Sequence, residues 1–306
     1  MPRHVALGKV NIDVYLVVDR IPGEDEAVNA TDAYIGPGGS ASNYSVAVAR
    51  MGDKVVLCAN TGELASSLGI LASLARAGID VGCVKVHKDE LPGIVVVIVS
   101  GGGAKSMVSV MGANAYTDGT EVDGLSSDVF HVASMSPQVA STARGRIDAE
   151  LASYDPGGSV AREAGADVAR VSSRIFDVLF LNRKEFAYVY GEPPTPASVA
   201  RASSSGPRIL VVKMGSEGAI ASTPHGVYRV DAFTAGPAVD TTGAGDVFDA
   251  VFNFYLARGE DYETALWAAA VAAGIKVTRR GAQSAPSREE VEKALSENPP
   301  RLTRIM

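Results

Sequence analysis

Cysteine is scarce: Cys58 and Cys83 are the only two among 306 residues, with no CxxC spacing and no histidine pair nearby. That excludes a small disulfide-stapled fold and a zinc site of the usual spacing, and predicts two structural thiols in a reducing cytosol. Long apolar runs are also missing. The longest purely aliphatic stretch, Ile94 to Val99, falls far short of the ~20 residues needed to cross a bilayer. The opening MPRHVALGKV lacks a charged region leading into an apolar segment and a cleavage site, so no secretory signal is expected. The sequons at Asn29 and Asn43 are then accidental. Basic charge is in deficit as well, 28 Lys and Arg against 35 Asp and Glu, giving a formal net charge of -7. Without a block of like charge there is no electrostatic footprint for nucleic acid or an anionic membrane. A cytoplasmic protein with a small-molecule partner is expected.

The chain is long enough to bury a sizeable core as one large domain or two ordinary ones. Short β-branched runs fill its first third: Val5 to Leu7, Val14 to Val18, Val55 to Cys58, Val81 to Val86, Ile94 to Val99 and Met107 to Val110. Gly101 to Gly103 tolerate positive φ, so the last two read as a hairpin on a glycine loop. From about residue 128 the rhythm alternates: strand Val129 to Val132, a helix-length stretch Ala140 to Leu151, a strand into Asp155, then Phe176 to Leu181 and Ile209 to Val212, each after a helix-length stretch. This predicts parallel βαβ units with helices on both faces. After Gly226 to Val230 the pattern is helical: Gly243 to Ala257, Tyr262 to Val277 and Ser287 to Ser296, the last opening with a capping box of Ser287 and Glu290. Extra antiparallel strands at about 12 to 36 and 92 to 111 would form a lid, and pairing with a second subunit would protect its edge.

The strongest chemical signal is Asp240-Thr241-Thr242-Gly243-Ala244-Gly245-Asp246, followed at once by an apolar helical pattern. Small residues at a helix entrance leave backbone N–H groups unhindered, and the helix dipole favours an anion there. Asp246 alone reads equally as a first-turn carboxylate complementing the dipole. Beside an anion cradle, however, it would repel a phosphate unless a hydroxyl stood between them, which is the arrangement phosphoryl transfer to an alcohol requires. The segment fits neither GxGxxG, since Phe248 replaces the third glycine, nor a P-loop, whose nearest approach is Ala104-Lys105-Ser106.

Asn11 and Asp13, two apart on an extended segment, project from one face. With Gly36-Pro37-Gly38-Gly39-Ser40-Ala41-Ser42-Asn43 they suit hydroxyl recognition, or a polar strand end and a capped helix. Asn182 and Glu185 follow a predicted parallel strand, where ligands of open α/β sheets gather and a carboxylate can hold magnesium directly or through water. A plain helix start explains them nearly as well. Val212-Lys213-Met214-Gly215-Ser216-Glu217-Gly218 is a strand running into a glycine turn, weak as a signal by itself.

Taken in order, these pieces resemble the ribokinase or PfkB family of carbohydrate and nucleoside kinases over essentially the whole chain. The resemblance implies one ribokinase-like domain over residues 1–306: an α/β three-layer αβα sandwich with a mostly parallel central sheet and a small β-strand lid. It implies transfer of a phosphate from Mg-ATP to a sugar, with a nucleoside as the alternative acceptor and a non-catalytic sugar-binding protein as the reading outside the class. Asp246 would be the base and the N–H groups of Gly243, Ala244 and Gly245 the anion hole. Asn11, Asp13, Gly38, Gly39 and Asn43 would bind acceptor hydroxyls. Asn182, Glu185, Lys213, Gly215 and Gly218 would serve the nucleotide, Glu185 facing magnesium, while Asp240 and Thr242 would take part in a monovalent cation site for potassium. Three departures stand out: Thr61-Gly62-Glu63-Leu64 where paired acids are common, Asp249 where a small residue is frequent, and a lid hairpin tip of three glycines, Gly101 to Gly103.

Overall fold

The computed structural model describes residues 1–100 and 105–306; the predicted glycine loop Gly101 to Gly103 lies outside them. Arg3–Gly8 (β1) leads through a short turn into Asn11–Val18 (β2) and Ala30–Gly38 (β3), then Ser40–Met51 (α1) and Lys54–Gly62 (β4). Two short helices follow, Glu63–Ser67 (α2) and Ile70–Arg76 (α3), then Ile79–Asp80 (β5), Val84–His87 (β6), Gly93–Ser100 (β7) and Lys105–Val110 (β8). The alternating part runs Ser126–Ala133 (β9), Pro137–Arg144 (α4), Asp148–Asp155 (β10), Gly157–Ala164 (α5), Ala166–Ile175 (α6), Val178–Asn182 (β11), Arg183–Tyr190 (α7), Pro196–Ser204 (α8) and Ile209–Lys213 (β12). Ala219–Thr223 (β13), Gly226–Val230 (β14), Ala244–Leu256 (α9), Tyr262–Lys276 (α10), Arg288–Glu297 (α11) and Leu302–Arg304 (β15) complete the chain.

Eleven strands form the main sheet in the order β15-β14-β13-β12-β11-β10-β9-β1-β4-β5, with β6 also on β4. Pairing is parallel from β12 through β5 and antiparallel from β12 to β15. Period-2 alternation splits each central strand between two cores. Ala6, Phe180 and Val211 pack with α1, α9 and α10 on one face, while Val5, Leu7, Leu179, Leu181, Leu210 and Val212 pack with α4 to α8 on the other. The result is the expected three-layer αβα sandwich, both faces covered, as β-branched strands of this apolarity require. No described helix is long and apolar enough to cross a membrane.

The smaller sheet has the order β3-β2-β7-β8. Its strands coincide with the two predicted lid segments, but β2 and β7 pair in parallel, so it is not wholly antiparallel.

Four local expectations are corrected. Only Val84 to Val86 of the run Val81 to Val86 is strand, the start of β6, because the Asp80 side chain at the end of β5 accepts from the Gly82 N–H at 2.9 Å and turns the chain. The helix expected over Ala140 to Leu151 stops at Arg144, and Asp148 already belongs to β10; Asp148-Ala149-Glu150 lacks β-branched residues, so only its place beside β9 makes it a strand. The tail adds an edge strand, β15, to a C-terminal part read as helical. Finally, Cys58 and Cys83 are not separate thiols but a disulfide with Cα atoms 4.6 Å apart. Cys58 lies on β4, and the turn carrying Cys83 folds back beside that strand; a spacing of 25 residues gives no hint of the return.

Candidate active site

The carboxyl ends of β10, β11 and β12 bring Asp155, Asn182 and Lys213 to one edge of the sheet, the edge where open α/β sheets collect ligands. The entrance of α9 faces them. Gly243 caps this helix with φ +78° and no side-chain cap, and a Cβ there would stand 2.4 Å from the Ala282 carbonyl oxygen, so the turn requires glycine. Ala244 N–H leans on the Thr241 carbonyl at 3.3 Å, and the N–H groups of Gly243 and Gly245 have no protein partner among the described residues. Asp246 completes the first turn, and Asn43 Nδ2 donates to its Oδ2 at 2.8 Å. Burial pushes the Asp246 carboxyl up to about 6, with Asn43 pulling the other way.

Lys213 lies between carboxylates, donating to Asp155 at 2.7 Å and to both oxygens of Asp249 at 2.8 Å. Burial pulls the ammonium down, but Asp155, Asp249 and Glu185 outweigh it and hold its pKa above the ordinary lysine value. The unusual acid at position 249 thus has a partner. Burial raises both carboxylates; Lys213 wins at Asp155, which falls below the usual range, whereas burial wins at Asp249. A Cβ on Gly245 would stand 3.2 Å from Lys213 Nζ, so the ammonium lies directly beneath the helix entrance. Sequence reasoning missed Asp155 as a site residue; its place at a parallel-strand end before Pro156 was the available signal.

Asn182 and Glu185 form a complete capping box on α7. Asn182 Oδ1 accepts from the N–H groups of Lys184 and Glu185, while Glu185 accepts from Asn182 N–H at 2.7 Å and Nδ2 at 2.6 Å. Burial, then Asp155, lifts Glu185 to about 7. Gly215, at φ +65°, has open space where a Cβ would be, but a Cβ on Gly218 would fall 1.9 Å from the Val230 carbonyl oxygen, so Gly218 is fixed by packing. No cluster of three acidic, cysteine or histidine residues that could cage a metal occurs among the described residues.

On the lid side, Asn11 and Asp13 start β2 and are both buried. A Cβ on Gly38 would collide with the Asp13 carboxyl at 2.1 Å, and one on Gly39 (φ +95°) with the Lys9 carbonyl at 2.3 Å. Asn11 Oδ1 accepts from Asn114 Nδ2 at 2.9 Å, an anchor that sequence reasoning missed and that no local pattern marked. Asp13 Oδ1 and Asn43 Oδ1 are buried without partners among the described residues. Burial, followed by Asp246 and Asp240, raises Asp13 to about 7. Two unpaired acceptors beside a carboxylate form a surface that lacks donors, as a polyol would supply.

Asp240, just before the helix entrance, is held from all sides. Its Oδ1 accepts from Thr242 N–H (3.0 Å), Thr242 Oγ1 (2.8 Å) and Lys105 Nζ (3.2 Å), and its Oδ2 from Gly281 N–H (3.0 Å). Burial raises this carboxyl, but those donors and the lysines leave it below the ordinary value. A surface cavity of about 430 Å³ lined by Asp177, Arg208 and Tyr262 lies at the opposite, amino ends of the strands and takes no part in the site.

The pfkB family carbohydrate kinase profile matches residues 1–289. An ATP-dependent ribose-1-phosphate kinase of Halopiger xanaduensis is 32% identical over 97% of this chain and 99% of that protein. The structure of Arabidopsis thaliana ribokinase complexed with ribose and ATP is 26% identical, with a TM-score of 0.79 over 96% of this chain and 98% of that one. A Methanocaldococcus jannaschii nucleoside kinase shares the fold, with a TM-score of 0.83 at 20% identity over 97% of this chain and 99% of that one. The chain belongs to the pfkB family of carbohydrate kinases.

Proposed function

We propose that this kinase, one catalytic unit over its whole length and acting in the cytoplasm, transfers the γ-phosphoryl group of ATP to a hydroxyl of ribose or a close relative of it. The observation that carries the reading is the pairing of Asp246 with free N–H groups at one helix entrance, across from hydroxyl-ready Asn11 and Asp13. Asp246 accepts the proton of the hydroxyl; that oxygen bonds to the γ-phosphorus as the bond to the bridging oxygen breaks and ADP departs. The N–H groups of Gly243, Ala244 and Gly245 take the charge that builds on the phosphoryl oxygens, backed by Lys213 beneath them. Asn43 keeps Asp246 aimed, and Asn114 keeps Asn11 aimed.

The nucleotide lies along Asn182, Glu185, Lys213 and the Gly215–Gly218 turn. Among the described residues there is no three-carboxylate cage, and the buried Glu185 carboxylate just after β11 would hold, directly or through water, a magnesium ion that arrives with the nucleotide. Magnesium held there would neutralise phosphate charge. The lid of β2, β3, β7 and β8 excludes water from the activated base, and a second copy of the chain covers the lid's outer face.

The 32% identity to a ribose-1-phosphate kinase favours a phosphorylated pentose as a second acceptor class. The deciding assay follows ADP release with Mg-ATP against free sugars, sugar phosphates, polyols and nucleosides. Turnover on a pentose or its phosphate, abolished in Asp246→Asn, is expected. Turnover on nucleosides alone would replace the acceptor, and binding without turnover would leave a sugar-binding protein.

A further inference from the structure

The monovalent cation that the resemblance implies at Asp240 and Thr242 does not fit this chain. Of the about four acceptor sites a carboxylate offers, Asp240 uses those of Oδ1 for Thr242 N–H, Thr242 Oγ1 and Lys105 Nζ, and one of Oδ2 for Gly281 N–H. Its main-chain carbonyl accepts from Lys276 Nζ at 2.7 Å. An incoming potassium ion would find Oδ1 fully occupied and a single lone pair open on Oδ2, and would meet two ammonium groups of its own sign.

Lys276 is fully buried at the last residue of α10, where a helix's carbonyl end favours positive charge. The next residue, Val277, accepts from the N–H groups of Val239 (2.7 Å) and Asp240 (3.0 Å). The end of α10 therefore grips the loop segment before the helix entrance from both sides, with a carbonyl on its N–H groups and an ammonium on its carbonyl. A buried lysine with no role in this contact would be costly.

We propose that the Lys276 ammonium, with Lys105 on the lid, takes the place of the monovalent cation, so that the turn from Asp240 to Gly243 is held by charge built into the chain and turnover needs no potassium. Lys276 touches neither substrate nor reacting atoms; it is a positioning residue for the anion cradle.

The turnover arm of the test rests on the kinase reading above. The full-length enzyme is assayed in potassium chloride and in choline chloride at equal ionic strength, and its thermal midpoint is recorded in both. Wild-type kcat should agree within about twofold and the midpoint within about 1 °C, as expected when no cation binds specifically. Lys276→Ala should lose about tenfold or more in kcat and regain much of it with ammonium or potassium but not choline, whereas Lys276→Met, which fills the space without charge, should lose as much and regain nothing. Rescue by a small cation is a response that lost packing would not give. Potassium activation of the wild type beyond about fivefold, a potassium-specific rise of its midpoint beyond about 3 °C, or a folded Lys276→Ala enzyme indistinguishable from wild type would overturn the proposal. Should the variants fail to fold, the wild-type comparison decides alone. Absence of turnover on every acceptor would count against the kinase reading, while the melting comparison still reports on the cation.

Discussion

The proposed reaction asks two incompatible things of Asp246, to stay ionised beside phosphate and to hold a proton once the hydroxyl has reacted, and its surroundings set the compromise. Burial lifts its pKa to about 6, while the Asn43 amide favours the charged form. A base must be deprotonated to act, so kcat/KM of the free enzyme should fall as pH drops through about 6. Asn43→Ala removes the hydrogen bond that lowers the pKa and should move that limb upward, by on the order of one pH unit. A limb left in place would mean that another group titrates. Asp246→Asn should cost about 10² to 10⁴ in kcat and leave ATP affinity, read by calorimetry, nearly unchanged; a loss below threefold would remove Asp246 from the base's role. The same scale explains the odd Asp249: its carboxylate shares Lys213 with Asp155 and fixes the ammonium below Gly245.

The element that sequence and structure leave least covered is the lid. Side chains on a strand alternate between faces, yet adjacent Met107 and Val108 on β8 are 68% and 64% exposed, so both faces of this edge strand are bare. Ile35 on β3 adds another 60% exposed apolar residue. Ile12 and Val14 root β2 in the main core and Asn114 holds Asn11, while the outer lid reaches the body through ion pairs such as Lys105 on Asp240 and Arg280 on Asp32, the latter an exposed pair worth little in water. A bare apolar edge of this kind is poorly protected in a lone copy, which is the ground for proposing a second copy over it. Sedimentation velocity should show a dimer at micromolar concentration, and Val108→Glu on the outer strand should shift it to monomer without unfolding the sandwich. A wild-type monomer at all concentrations tested would refute the lid interface.

Over the whole molecule, what could be read from residue order was whatever repeats or caps locally. The βαβ rhythm from β9 to β12, the capping box at Ser287 and the glycine entrance of α9 all depend on near neighbours in sequence, and all stand where expected. What escaped depends on chain return: Asn114 reaching Asn11 across 103 residues, Lys276 reaching Asp240 across 36, and Cys83 folding back onto Cys58. The last changes an expectation about stability. A link closing about 25 residues restricts the unfolded chain, and on the loop-entropy account is worth roughly 3 kcal/mol. It joins β4, in the middle of the parallel sheet's edge region, to the turn before β6, so its loss frees α2, α3 and β5 together. Reduction should therefore lower the melting temperature by about 5 to 10 °C, and Cys58→Ala with Cys83→Ala should melt at the reduced enzyme's temperature whether or not reductant is present. Thiol titration of the unreduced, denatured protein should find no free thiol, and two after reduction. Two thiols before reduction, with a melt indifferent to reductant, would restore the picture of separate buried cysteines.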